Sequence, residues 1–202
     1  MKKIIALMGP SGAGKTTLGN LLETRNNIVV PRHCTTRSPR SDDKEGFYRY
    51  LTHDEYKKLY DEERFILSSG DGPTVKKEYG NFYGVLMEDC ETAWRLSDTI
   101  LLYVSYKDLF TLIDINRNGI KVDIVNLTFK DVESGVKERL LSDKTRNHTE
   151  SDIERRINCA VEYEEKYGKA IERYVTSKVY TDIFNIEETY DKVCDDLCLG
   201  ED

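Results

Sequence analysis

Gly9-Pro10-Ser11-Gly12-Ala13-Gly14-Lys15-Thr16 fits the pattern G-x-x-x-x-G-K-[ST]. Glycines let successive backbone N–H groups turn inward onto phosphate oxygens, and a helix opening behind them adds its positive end. Gly9, Ser11, Gly12, Ala13, Gly14, Lys15, Thr16 and Thr17 therefore form a candidate nucleotide cradle. Lys15 can reach the β- and γ-phosphates, and the Thr16 hydroxyl can ligate a metal, so the expected cofactors are ATP and Mg²⁺. The competing reading is an ordinary glycine-rich turn. It is disfavoured because the pattern follows an apolar run and opens a helical one.

A second anion site is readable downstream. Thr35-Thr36-Arg37-Ser38-Pro39-Arg40 places two guanidinium groups three residues apart beside hydroxyls. Such a set suits a phosphate monoester, which accepts paired hydrogen bonds. Tyr48 can add a phenolic donor. Taken alone, the stretch also reads as a solvated basic loop. No Asn-Lys-x-Asp follows to read a GTPase's base, and 202 residues cannot hold a large ATPase motor, so a small phosphotransferase is expected.

These residues need a scaffold. Lys3–Met8, closed by Gly9-Pro10, has the pattern of a buried parallel strand. Leu18, Leu21 and Leu22 have helical spacing between Gly14 and about Thr24. Further strands are expected at Ile28–Val30, Thr99–Ser105, Lys121–Phe129 and Lys178–Tyr180. Further helices are expected at His53–Glu63, Met87–Leu96, Lys107–Asn116, Val132–Leu141, Ser151–Lys169 and Ile186–Leu199. Alternating strands and helices predict an α/β fold, a parallel sheet with helices on both faces. Residues 32–85 break the alternation. They read as a small insertion of one helix and short strands, with a polar loop over 31–50 and turns at Gly70, Gly72, Gly80 and Gly84.

Composition narrows the class. Apolar residues are 39% and charged residues 33%, which excludes a disordered chain, and the longest apolar run is far shorter than a membrane span. That run is also too short for a secretory leader. A net charge of −7 argues against a nucleic-acid partner. The odd number of cysteines, scattered in sequence, makes no disulfide framework. Cys194 and Cys198, with no histidine near, read as packing or surface thiols. A reduced, cytoplasmic location is expected.

With the glycine loop in place, the chain resembles the guanylate kinase family over most of its length. The family's T-T-R-x-P-R segment is matched by Thr35–Arg40, and its G-x-x-Y is shortened to Gly46-Phe47-Tyr48. Its Y-Y-G-T resembles Phe82-Tyr83-Gly84-Val85. Its lid pattern resembles Arg139-Leu140, Arg146 and the stretch Ile153–Ala160. The resemblance implies a P-loop three-layer α/β fold within one domain, residues 1–202. Residues 1–31 and 86–202 would form the core, 32–85 the acceptor-binding insertion and about 139–156 an arginine-rich lid. It further implies that Thr36, Arg37, Arg40, Tyr48 and Tyr83 hold an acceptor monophosphate, and that Lys15, Arg139, Arg146 and Arg156 neutralise the transferred phosphoryl group.

The family reads guanine with a serine before T-T-R and with two carboxylates. Here His33 stands near the serine position, Leu67 near the first carboxylate and Ser105 at the strand end that carries the second. His33 and Ser105 are candidate base contacts, His33 equally a structural histidine. The acceptor is then GMP, dGMP or a nucleotide of another base. A ribose 1,5-bisphosphate kinase-like activity is the alternative, and a non-catalytic binding module a third.

Overall fold

The computed structural model describes residues 1–41, 43–69, 80–143 and 148–200. Its organising element is β1 (Lys3–Met8), in which Ile4, Ile5, Ala6, Leu7 and Met8 are all fully buried. A strand apolar on both faces must be covered on both sides. It pairs in parallel with β7 (Thr99–Tyr103) on one side and β8 (Lys121–Thr128) on the other. β2 (Ile28–Val29) and β9 (Ser177–Tyr180) complete a parallel sheet of order β2-β7-β1-β8-β9.

The two faces of β1 seed two cores. Ile4, Ala6 and Met8 meet Trp94 of α3 (Met87–Trp94), Leu112 of α4 (Leu109–Arg117) and Ile171 of α6 (Glu150–Tyr174). Ile5 and Leu7 meet Leu18 and Leu22 of α1 (Lys15–Arg25), Val136 of α5 (Val132–Ser142) and Val193 of α7 (Ile186–Leu197). Among the described residues no helix is long and apolar enough to cross a membrane.

Residues 33–86 build a second sheet of order β4-β3-β6-β5, from β3 (His33–Thr35), β4 (Tyr48–Tyr50), β5 (Phe65–Ser69) and β6 (Tyr83–Leu86). β6 runs antiparallel to β3 and β5, whereas β3 and β4 are parallel. α2 (His53–Asp61) starts at Thr52, whose side chain accepts from Glu55 N–H while Glu55 returns to Thr52 N–H, a capping box.

Three boundaries differ from the sequence reading. The stretch 31–50 is not all loop, because His33–Thr35 and Tyr48–Tyr50 pair with each other. The long helix extends to Tyr174, because Tyr167, Ala170 and Ile171 carry its apolar stripe onto the sheet. The segment after β7 opens as a 3-10 turn, Tyr106–Asp108, before α4. There Ser105 Oγ accepts from Lys107 N–H, and the Asp108 carboxylate accepts from Ser105 N–H.

Candidate active site

The glycine loop leaves the C-terminal end of the central strand. A Cβ on Gly9, at φ +144°, would stand 2.1 Å from the Leu127 carbonyl oxygen. A Cβ on Gly12 would stand 2.7 Å from the Arg139 Cβ. Only glycine lets the loop thread this gap. Gly14 caps α1 in the left-handed conformation without a side-chain cap, so the first N–H groups of the helix are left for an anion. Lys15 Nζ donates to the Gly9 and Pro10 carbonyls, each at 2.8 Å. Its stem is only partly covered, but the ammonium tip is enclosed, and loss of water pushes it down to about 8.

That depression gives a signed pH effect. Bound phosphates favour the charged lysine, so triphosphate affinity is expected to fall as pH rises through about 8. Binding at pH 8.5 should take up a proton, visible by calorimetry in buffers of different ionisation heat. Flat affinity from pH 7 to 9.5 without proton uptake is the contrary result.

Opposite the loop, the β3–β4 connection presents the second anion site. Arg37 is buried, and its guanidinium donates to both carboxylate oxygens of Asp43, at 2.8 and 2.5 Å. It lies 4.6 Å over the Tyr48 ring. Asp43 also accepts from Tyr50 Oη at 2.5 Å and from Arg40 N–H at 2.7 Å. This pairing holds the Asp43 carboxyl far below the usual carboxylate range, chiefly through Arg37. Arg40 is exposed, and its side chain lines two adjoining cavities of about 660 and 1110 Å³. Both cavities are lined by Lys15, Arg40, Tyr48, Tyr83 and Tyr103. The larger has Gly9, Pro10 and Ser11 on one wall and Arg155 and Arg156 on another. The glycine loop and the cluster of Arg40, Tyr48 and Tyr83 thus open onto one cleft.

The guanylate kinase family model matches residues 1–189. The chain belongs to the guanylate kinase family. It is accordingly a phosphotransferase of the nucleoside monophosphate kinase class. The chain is 31% identical to the guanylate kinase of Anaplasma phagocytophilum over 121 residues, 58% of this chain and 54% of that protein. It is 26% identical to the guanylate kinase of Fusobacterium nucleatum over 191 residues, 92% of this chain and 95% of that one. The crystal structure of the guanylate kinase from Anaplasma phagocytophilum superposes with a TM-score of 0.67 at 21% identity, covering 98% of this chain and 85% of that one. That likeness carries the fold, a mixed α/β architecture around a parallel sheet.

In this member of the guanylate kinase family, not every residue singled out by sequence reaches the cleft. Arg156 does: its guanidinium donates to Ser11 Oγ at 3.2 Å and to Asp152 at 2.8 Å. Arg139 lies against Gly12, but its guanidinium donates to the Thr181 carbonyl at 2.7 Å and lines neither cavity. Arg146 lies outside the described residues, as do Gly70 and Gly72. Thr36 is a tie: its hydroxyl accepts from Phe82 N–H and its own N–H donates to the Phe82 carbonyl.

His33 corrects the expectation of a base contact. Its Nδ1 meets the Pro31 carbonyl at 2.9 Å and its Nε2 accepts from Tyr103 N–H at 3.2 Å. Burial pushes it down to about 4, so it is neutral, stacked on Phe47, with no ring nitrogen left for substrate. Ser105 Oγ accepts from Lys107 N–H at 3.3 Å, which leaves its own O–H free to donate, and the residue lines the larger cavity. His148 is enclosed between Asp143 and Asp152. Sequence reasoning missed Asp43 and Asp108. Asp43 sat unremarked in a charged run, and Asp108 in what read as an ordinary helix start.

Proposed function

We propose that the chain transfers the γ-phosphoryl group of ATP to a nucleoside monophosphate, GMP, dGMP or a nucleotide of related base. The observation that carries this reading is the shared cleft, where Lys15 of the glycine loop and Arg40, Tyr48 and Tyr83 line the same space. An oxygen of the acceptor phosphate attacks the γ-phosphorus, the bond to the β–γ bridging oxygen breaks, and ADP leaves. That oxygen is already anionic near neutral pH, so no general base is needed. What the protein must supply is alignment and positive charge. Lys15 and Arg156 serve the donor side, and Arg40, Tyr48 and Tyr83 the acceptor side. Arg37 fixes the acceptor loop through Asp43. Residues 32–85 act as the acceptor unit and the stretch around 139–156 as the lid.

The residues present fit Mg²⁺ in one respect: Thr16, in the first turn of α1, puts a hydroxyl where the loop ends. When bound, the ion would neutralise charge on the donor phosphates. Leu67, a hydrocarbon in the wall of the acceptor cavity, favours the second reading, a sugar phosphate such as ribose 1,5-bisphosphate as acceptor. The intact loop speaks against a non-catalytic module.

The test is ATP consumption with nucleoside monophosphates and with ribose 1,5-bisphosphate, using wild type and Arg40→Ala. Nucleotide acceptors should be turned over, and the substitution should raise acceptor KM about 10- to 100-fold, the loss of one charged donor, with ATP KM little changed. Turnover of the sugar phosphate alone overturns the reading. A raised ATP KM with unchanged acceptor KM overturns the two-sided assignment.

A further inference from the structure

Arg156 does not stand alone at the glycine loop. While its Nη1 donates to Ser11 Oγ at 3.2 Å, its Nε donates to Asp152 Oδ2 at 2.8 Å, one helical turn earlier in α6. A guanidinium is a rigid planar fork, so tying Nε fixes where the two terminal nitrogens point. Here Nη1 is turned onto the loop. Asp152 is itself held. Its Oδ1 accepts from Arg155 at 2.6 Å, and Nδ1 of His148 stands 3.2 Å from its Oδ2. The His148 side chain is only 5% exposed, and its Nε2 stands 3.3 Å from Asp143, which caps the end of α5. Partial burial pushes the Asp152 carboxyl up, but the bonds from Arg155, Arg156 and His148 outweigh it and hold it far below the usual carboxylate range. The carboxylate lines neither cavity, so it is not placed to touch a substrate. A helix start favours an acid for its own sake, and Asp152 N–H does bond to Thr149 Oγ1 at 3.2 Å. Capping, however, needs neither the arginine one turn on nor the buried histidine behind.

Resting on the phosphotransferase reading above, in which Arg156 serves the donor phosphates, we propose that Asp152, braced by His148, is a positioning residue for Arg156. It aims the guanidinium at the phosphates cradled by the glycine loop and keeps it there before ATP arrives. Without that hold a long side chain samples many rotamers, and ordering it weakens every bond it then makes to the phosphoryl group. The bond through Nε leaves the edge formed by Nη1 and Nη2, whose two parallel donors match a pair of phosphoryl oxygens. Ser11 Oγ is a neutral acceptor at 3.2 Å, a weak partner that an anionic oxygen can replace. The bond to Asp152, at 2.8 Å and between opposite charges, is the one that persists. Arg155 draws on the other carboxylate oxygen and so does not compete for it.

The test is steady-state kinetics of Asp152→Asn, Arg156→Ala and the protein carrying both, with thermal melts beside them. The substrates are ATP and GMP, or whichever nucleoside monophosphate the acceptor panel above shows to be turned over. Asp152→Asn keeps an oxygen and the start of α6 but loses the charge. It should lower kcat/KM for ATP about tenfold, with acceptor KM within about twofold of the unmodified protein. Arg156→Ala should lower it about 100-fold. In the Arg156→Ala background the asparagine should cost nothing further, because the carboxylate acts only through that guanidinium. His148→Gln leaves Asp152 and the cap of α6 in place. It should cost about threefold, a loss that also vanishes beside Arg156→Ala. If Asp152→Asn melts below the assay temperature, the His148→Gln comparison decides alone. An equal loss from Asp152→Asn in both backgrounds marks a structural role and overturns the proposal, as does a loss carried by acceptor KM. A full Arg156→Ala loss beside an unaffected Asp152→Asn overturns the inference alone. Arg156→Ala within about threefold of the unmodified protein takes Arg156 off the donor side, and the inference falls with that assignment.

Discussion

Replacing Lys15 with alanine is expected to lower kcat/KM for phosphoryl transfer at least about a thousandfold, with the fold retained. The ammonium is the only side-chain cation within the glycine loop, and among the described residues it bonds only to the Gly9 and Pro10 carbonyls. Among the described residues no ion partner is orphaned by its removal, and a desolvation cost disappears with it, as its lowered pKa shows. The melting temperature should therefore stay within a few degrees. The assay is steady-state kinetics beside a thermal melt. Turnover within tenfold of the unmodified protein shows that the loop is not the donor site.

Asp43→Ala should act in the opposite way, with stability falling by about 2–4 kcal/mol because the partner of a buried guanidinium is removed. Arg37 loses both carboxylate bonds, and Tyr50 Oη and Arg40 N–H lose their acceptor. The pH dependence has a definite sign. Asp43's pKa is depressed in the folded protein, first by Arg37 and then by Tyr50 and Arg40. Its contribution is thus full above the unfolded carboxylate pKa, near 4, and fades as pH falls below it. Urea unfolding at pH 7 should separate the two proteins clearly, and the gap should narrow toward pH 3. Equal midpoints at pH 7 mean the Arg37–Asp43 pair organises nothing.

Chemistry held by contiguous residues was legible in the sequence; chemistry assembled by a turn was not. Gly9–Thr16 could be read directly because loop, lysine and helix start are neighbours in the chain. The five-stranded sheet was legible for a related reason, since runs such as Ile4–Met8 and Thr99–Tyr103 are apolar on both faces. Thr36 and Arg37 were seen as phosphate ligands by residue type. Their bonds to Phe82 and Asp43 depend on how β3 lies against the segment before β6, which no local pattern encodes. His33 was ambiguous because a histidine's role depends on what its two nitrogens meet. Asp108 was invisible because the sequence puts it inside an expected helix, Lys107–Asn116, whereas a turn capped by Ser105 carries its carboxylate back to the strand end.

Parallel pairing of β3 and β4 has a consequence for how such a protein diversifies. Two parallel strands cannot be joined by a tight hairpin; the chain must travel back before it can pair again. The residues between Thr35 and Tyr48 are that return journey, and Arg37, Arg40 and Asp43 ride on it. Geometry obliges the span to exist, but dictates little of its composition. Outside the buried Arg37–Asp43 pair, its length and charge can change while the sheet's hydrogen bonds stay in register. What that span contacts is therefore free to change, beside a glycine loop whose threaded glycines tolerate almost no change.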